Sequence, residues 1–187
     1  MTFIGETAGE SLAVHSVSSI NPTQGETLVL GVGNPLCGDD GAGVWAINLL
    51  AESTLPPTVH LQDAGTPGLA LPLYLEGWSR VILVDAVQMG CLPGTWQRFT
   101  PQDVQLQFTE TSLSLHESDL AGGLALADAL GVLPETVVVY GIEPASCEIN
   151  HGLSPAVQSA LPEMVEGILT EIWNGKETHG KEEHSSD

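Results

Sequence analysis

The sequence predicts an α/β fold in which a mainly parallel β-sheet is covered by helices on both faces. Three observations carry this. Short apolar runs rich in β-branched residues alternate with longer stretches whose apolar residues recur at helical spacing. Most of the apolar runs are nearly continuous, as strands buried on both faces must be. They are also closed by Gly or Pro, the residues that punctuate strands.

The elements follow in order. Residues 1–26 mix Ser, Thr, Gly and acids without a sustained period and read as a flexible N-terminal extension. TLVLGVG at 27–33 is the first strand, and residues 39–53 the first helix. TVHLQDAG at 58–65 is the second strand, followed by a helical pattern at 67–77. RVILVDAV at 80–87 is the third strand, and TWQRFT at 95–100 a weaker candidate. A helix is predicted over 117–131, with Ser118 and Asp119 at its start and Gly131 just past its end, as capping requires. TVVVYGIEP at 136–144 is the last strand and 154–173 the last helix. GKETHGKEEHSSD at 175–187 is a polar C-terminal tail that holds His179 and His184. The predicted organisation is one α/β domain over 27–174 between two tails, with no internal repeat.

A chain of 187 residues suits one domain with a sizeable core. Its 24 acidic residues against 4 basic ones give a net charge of −20, which repels nucleic acid and anionic membrane and favours a basic or metal-bearing partner. Cys37, Cys91 and Cys147 are odd in number, far apart and in no C-x-x-C pair, so neither a disulfide framework nor a cysteine-bound zinc site is expected. Reduced thiols point to the cytoplasm. The first 26 residues lack a basic start and an apolar stretch, and no segment reaches the roughly 18 uninterrupted apolar residues of a membrane span. Trp45, Trp78 and Trp173 fall on helical patterns and are expected in the core or a groove.

The loop after the first strand, GVGNPLCGDDGAG at 31–43, resembles a phosphate cradle but lacks its chemistry. Gly31 and Gly33 supply G-x-G, yet Leu36 stands where the dinucleotide fingerprint needs a third glycine, and no Lys-Ser or Lys-Thr follows. Asp39 and Asp40 sit instead at a helix start, where the helix dipole stabilises negative charge. Capping explains one of them, but a single cap position cannot employ both.

Ligand sites in parallel α/β sheets gather at the carboxyl ends of the strands. Here acids follow three predicted strands: Asp40 after the first, Asp63 in QDAGT after the second and Asp85 in ILVDAV at the end of the third. Carboxylates that converge on one rim repel each other unless a cation sits among them. Asp85 follows four apolar residues, and an unpaired buried charge costs several kcal/mol. It is therefore either a core carboxylate bonded to a neighbouring loop or a ligand. His116, in SLSLHESDLAGG, is either a cap or surface residue or an imidazole ligand. Two carboxylates and an imidazole suit a borderline divalent ion such as Zn²⁺ or Ni²⁺, with positions left open. The chain carries no H-E-x-x-H zinc signature and no G-x-S-x-G elbow. Cys37 lies in the loop, but two neighbouring carboxylates work against a thiolate nucleophile there.

The ordered series GVGNPLCGDDGAGVWAINLL, QDAGTPG, ILVDAV, SLHESDLAGGLALADALG, VVVYGIEP and HGLSPAV spans about residues 27–173. It closely resembles the hydrogenase maturation proteases, endopeptidases that trim the C-terminal extension from the large subunit of nickel-iron hydrogenases. The resemblance implies a three-layer sandwich with a twisted, mostly parallel five-stranded sheet between helices, in a monomeric cytoplasmic enzyme. It implies a metal-binding trio that falls on Asp40, Asp85 and His116. Asp63 falls on a position associated with substrate selection and cleavage, which makes Asp40 and Asp63 the candidate catalytic residues. The implied metal is nickel brought by the large-subunit precursor, with zinc or cadmium as its substitute in a crystal. Whether that metal is catalytic or only a recognition signal is open at the level of sequence. A rival of another class, a non-catalytic metal-binding chaperone of hydrogenase assembly, would use the same acidic rim. His151, in NHGLSP, is expected in a loop before the last helix, with a supporting role near the substrate left open. The unaligned first 26 residues are longer than expected at this end of the family.

Overall fold

The computed structural model describes residues 25–101, 117–149 and 152–179, together with Pro22 and Asp103. Five strands, β1 (Thr27–Val32), β2 (Val59–Gly65), β3 (Arg80–Ala86), β4 (Trp96–Phe99) and β5 (Thr136–Ile142), form one sheet in the order β2-β1-β3-β5-β4. All neighbours are parallel except β4, which runs antiparallel to β5 at the edge. The helices are α1 (Ala42–Ala51), α2 (Leu71–Leu75), α3 (Glu117–Ala129) and α4 (Pro155–His179). The five-stranded, mostly parallel α/β architecture is thus the one expected, and the weak strand at 95–100 is present.

Alternation along the buried strands divides the core in two. Ile82, Val84, Val138 and Tyr140 face α1 and α4, where they pack with Ala46, Leu50, Met164 and Ile168. Val81, Leu83, Val137 and Val139 face α2 and α3, where they pack with Leu71, Leu75, Leu120 and Leu124. Each fully buried aliphatic side chain contributes roughly 1.5–3 kcal/mol, so both helix layers are held by the same central strands. The alternation is invisible in a run such as VILV because both faces are apolar.

Several boundaries differ from the sequence expectation for physical reasons. The first helix is preceded by a tight 3₁₀ turn, Gly38–Gly41, and starts only at Ala42. The pattern at 67–77 yields a 3₁₀ turn and a five-residue helix, because Glu76 leaves helical geometry and Gly77 takes φ +84°. The last helix continues to His179, into the polar segment, since an established helix gains one hydrogen bond for each residue added. Trp78 is buried, whereas Trp45 and Trp173 are 43% and 46% exposed at the surface. The amino end of β3 is fastened to α4 by Glu171, whose Oε1 accepts from Arg80 Nη2 at 2.7 Å and whose Oε2 accepts from Arg98 Nε at 2.8 Å. These guanidinium contacts hold the Glu171 carboxyl below its ordinary range. Among the described residues no helix is long and apolar enough to cross a membrane.

Candidate functional site

The chain leaves β1 for β2 on one side and returns to β3 on the other, so the strand order reverses between β1 and β3. Such a switch opens a crevice beyond the carboxyl ends of the two strands. A pocket lies there, lined by Val32, Gly33 and Asp40 after β1, by Thr66, Pro67, Gly68 and Leu71 after β2, by Asp85 and Ala86 of β3, and by Leu120 of α3.

The glycines of the first loop serve backbone packing. Gly33 has φ +120°, and a Cβ there would stand 1.7 Å from the Asp40 carbonyl oxygen. At Gly43 a Cβ would stand 2.2 Å from Val84 O and 2.3 Å from Val32 O. Only glycine allows the loop to fold back and α1 to lie against β1 and β3. The result is a single 3₁₀ turn that carries Asp39 and Asp40 over the sheet rim.

The two aspartates of that turn have different surroundings. Asp40 is 5% exposed, lines the pocket and accepts a 2.8 Å hydrogen bond from the Asn34 amide on Oδ2. Asp39 is fully buried and accepts from three amides: Ser154 on Oδ1 at 2.6 Å, and Ala145 and Ser146 on Oδ2 at 2.8 and 3.3 Å. It is therefore not the cap of its own turn that the sequence had allowed, and its full burial closes it to substrate.

Asp85, 8% exposed, enters the same pocket from the end of β3. Burial first, and the negative charge of Asp40 second, push its carboxyl from 3.8 up to about 8, against a smaller opposing hydrogen bond from the Ala86 backbone. Burial beside a second carboxyl favours the protonated form of Asp85. The same field reaches a thiol, since burial and then Asp40, Asp39 and Asp85 raise Cys147 to about 11.

Asp63 stands at the rim beside the pocket. It is exposed on β2, in register with Gly31 of β1, which is itself paired with Val84 of β3. With strands spaced about 4.8 Å apart, its backbone lies roughly 10 Å from that of Val84, the residue before Asp85. A bulge follows at once, because Val32 pairs with Gly65, and Gly65 donates its amide to Asp63 Oδ1 at 2.7 Å. The carboxylate is thus pinned at a bend of the edge strand.

His116 and His151 lie outside the described residues. In the chain, His116 is immediately before the first residue of α3 and four residues before Leu120, a wall of the pocket. Among the described residues no group of three or more His, Cys, Asp and Glu side chains is arranged to hold a metal ion. The described donors at the pocket are Asp40 and Asp85.

Sequence reasoning missed Glu143. It is buried at the end of β5 and accepts the Met89 and Cys91 amides on Oε2 at 2.6 and 3.2 Å, which ties down the loop after Asp85. The signal was present: Glu143 follows the apolar run TVVVYGI as Asp85 follows RVIL and Val84.

The family model described as hydrogenase maturation protease matches residues 44–171, a span that contains Asp63, Asp85 and His116 and begins just past Asp40. The hydrogenase expression/formation protein HupD of Rhodobacter capsulatus is 34% identical over 157 residues, covering 82% of this chain and 75% of its own. The hydrogenase 2 maturation protease of Escherichia coli K12 is 32% identical over 147 residues, covering 78% and 89%. The solved structure of the hydrogenase maturating endopeptidase HybD from E. coli superposes with a TM-score of 0.71 at 30% identity, covering 80% of this chain and 93% of that one. A strand-end pocket with paired carboxylates, on a fold and sequence shared with these enzymes, places the chain in the hydrogenase maturation protease family, whose members are peptide-bond hydrolases.

Proposed function

We propose that this chain is the endopeptidase that removes the C-terminal extension of a nickel-iron hydrogenase large-subunit precursor once nickel has been inserted. It reads the bound nickel through Asp40, Asp85 and His116, and it acts as a monomer in the cytoplasm. The observation that carries this reading is the Asp40–Asp85 pair: two carboxyls in one pocket, one of them driven up to about 8 by burial and by the negative charge of the other. A cation that arrives with the substrate offsets that negative charge and draws the Asp85 proton off. Cys37, Cys91 and Cys147 are free thiols, in keeping with a reducing compartment.

The nickel belongs to the substrate, where it marks a completed precursor and positions the peptide at the rim. Asp40, steadied by the Asn34 amide, and Asp85 hold the nickel side of the precursor. Asp63, pinned by Gly65 and open to solvent, is the base. It takes a proton from a water as the water oxygen bonds to the scissile carbonyl carbon, and it returns that proton to the amine nitrogen as the C–N bond breaks. The likeness to a maturation protease and to a maturating endopeptidase favours this over a non-catalytic chaperone on the same rim. Incubation with a nickel-loaded precursor distinguishes the two: the protease leaves a C-terminally shortened product, and the chaperone leaves the precursor intact.

A further inference from the structure

Asp39 is adjacent to Asp40 yet spends its carboxylate elsewhere. It is fully buried, and three amides from distant sequence converge on it: Ala145, Ser146 and Ser154, at 2.8, 3.3 and 2.6 Å. The contact is reciprocal, since the Asp39 amide donates to Ser146 O at 3.0 Å. The backbones touch here, for a Cβ on Gly38 would stand 2.8 Å from Ser146 O and 3.3 Å from Glu148 O. A carboxylate bonded to amides is held far more firmly than a surface contact.

Asp39 and Asp40 share one 3₁₀ turn, Gly38–Gly41, in which the Asp40 amide donates to Cys37 O at 3.2 Å. A four-residue turn cannot move at one residue and stay still at the next. The segment that Asp39 grips is itself anchored, because it continues β5, whose Gly141 is in register with Asp85, and because Ser154 immediately precedes α4. Asp39 therefore joins the turn that carries Asp40 to the strand beside Asp85. We infer that Asp39 is a positioning residue for the cleavage reaction: its buried carboxylate, by gripping residues 145, 146 and 154, sets where Asp40 stands relative to Asp85. This rests on the endopeptidase reading above.

The test compares wild type, Asp39→Asn and Glu171→Gln as full chains on nickel-loaded precursor. Glu171→Gln weakens the Arg80–Arg98 clamp at the amino end of β3 and serves as the control for lost stability. In Asp39→Asn an amide nitrogen replaces one acceptor oxygen, so one group of donors is released. Misplacement of Asp40 by about 1 Å is expected to cost about 100-fold in kcat, because it shifts the peptide against Asp63, and KM is expected to rise by up to about tenfold, because Asp40 also holds the nickel side of the precursor. Zn²⁺ affinity of the isolated protein, read by calorimetry, is expected to fall about tenfold, the size of a lost supporting contact. Glu171→Gln is expected to retain wild-type kcat and Zn²⁺ affinity. Unchanged kcat and affinity in Asp39→Asn, or equal losses in Glu171→Gln, overturn the inference. Should Asp39→Asn fail to fold, Ala145→Pro removes one of the three donors and keeps every carboxylate; the same kcat loss supports the inference and wild-type kcat overturns it. A wild-type protein that leaves the loaded precursor uncut removes the endopeptidase reading and this role with it. Wild-type cleavage with an undiminished Asp39→Asn removes this role alone.

Discussion

Asp85 at the end of β3 and Asp40 on the turn after β1 reach one pocket, where burial and then the negative charge of Asp40 raise the Asp85 carboxyl to about 8. The arrangement destabilises the fold at neutral and alkaline pH, and on the proposed reading it serves the cation that the substrate brings. Several measurable consequences follow from the sign of the charges.

The first concerns pH and stability. The folded Asp85 carboxyl titrates at about 8 against an ordinary value of 3.8, so its stabilising contribution is complete below about 3.8 and lost as pH rises to about 8. In chelator, wild-type stability is therefore expected to fall between pH 5 and 8.5 by more than that of Asp85→Asn, on the order of a few kcal/mol. Urea unfolding of both proteins at the two pH values checks this. Parallel pH profiles would show that Asp85 ionises freely in the folded chain.

The second concerns the cation. Because Asp85 is largely protonated at pH 7, binding of Ni²⁺ or Zn²⁺ by the isolated protein is expected to release close to one proton per ion. Calorimetry in buffers of different ionisation enthalpy counts it. Asp85→Asn is expected to release far less, only the fraction of a proton that an imidazole ligand holds at pH 7, and an equal release from that variant argues for a site elsewhere.

Asp63 offers a separation of chemistry from folding. It is exposed, and Asn retains the oxygen that accepts the Gly65 amide, so Asp63→Asn should shift stability by less than about 0.5 kcal/mol. Cleavage is expected to fall about 10²- to 10⁴-fold, the contribution of a general base. Undiminished cleavage assigns the base to another residue.

Glu143 is predicted to be structural. Glu143→Gln replaces a charged acceptor for the Met89 and Cys91 amides by a neutral one, at a cost of about 1–3 kcal/mol. Faster amide exchange at residues 89–91 is the accompanying sign, and unchanged exchange there would place the anchor of that loop elsewhere.

Much of this was legible in the chain. Continuous apolar runs in TLVL, VILV and VVVY revealed buried parallel strands, and an acid after such a run revealed Asp85. The loop glycines signalled a special backbone but not its purpose, because a phosphate cradle and a close helix–sheet contact ask for the same residue. Only the coordinates show Gly33 and Gly43 facing backbone oxygens. The division of labour between Asp39 and Asp40 was not legible either. It depends on amides 106 to 115 residues away, a separation no local pattern encodes. The helical run past residue 173 was hidden by composition, since a polar extension of a helix and a polar tail are written in the same residues.

The most direct test is mass spectrometry of the large-subunit precursor, prepared with and without nickel and incubated with the wild-type chain, Asp40→Ala or Asp85→Ala. C-terminal shortening of the nickel-loaded precursor by wild type alone is the predicted result. Equal shortening of the nickel-free precursor, or wild-type activity in both variants, contradicts the reading of Asp40 and Asp85 as the receptor for the substrate's metal.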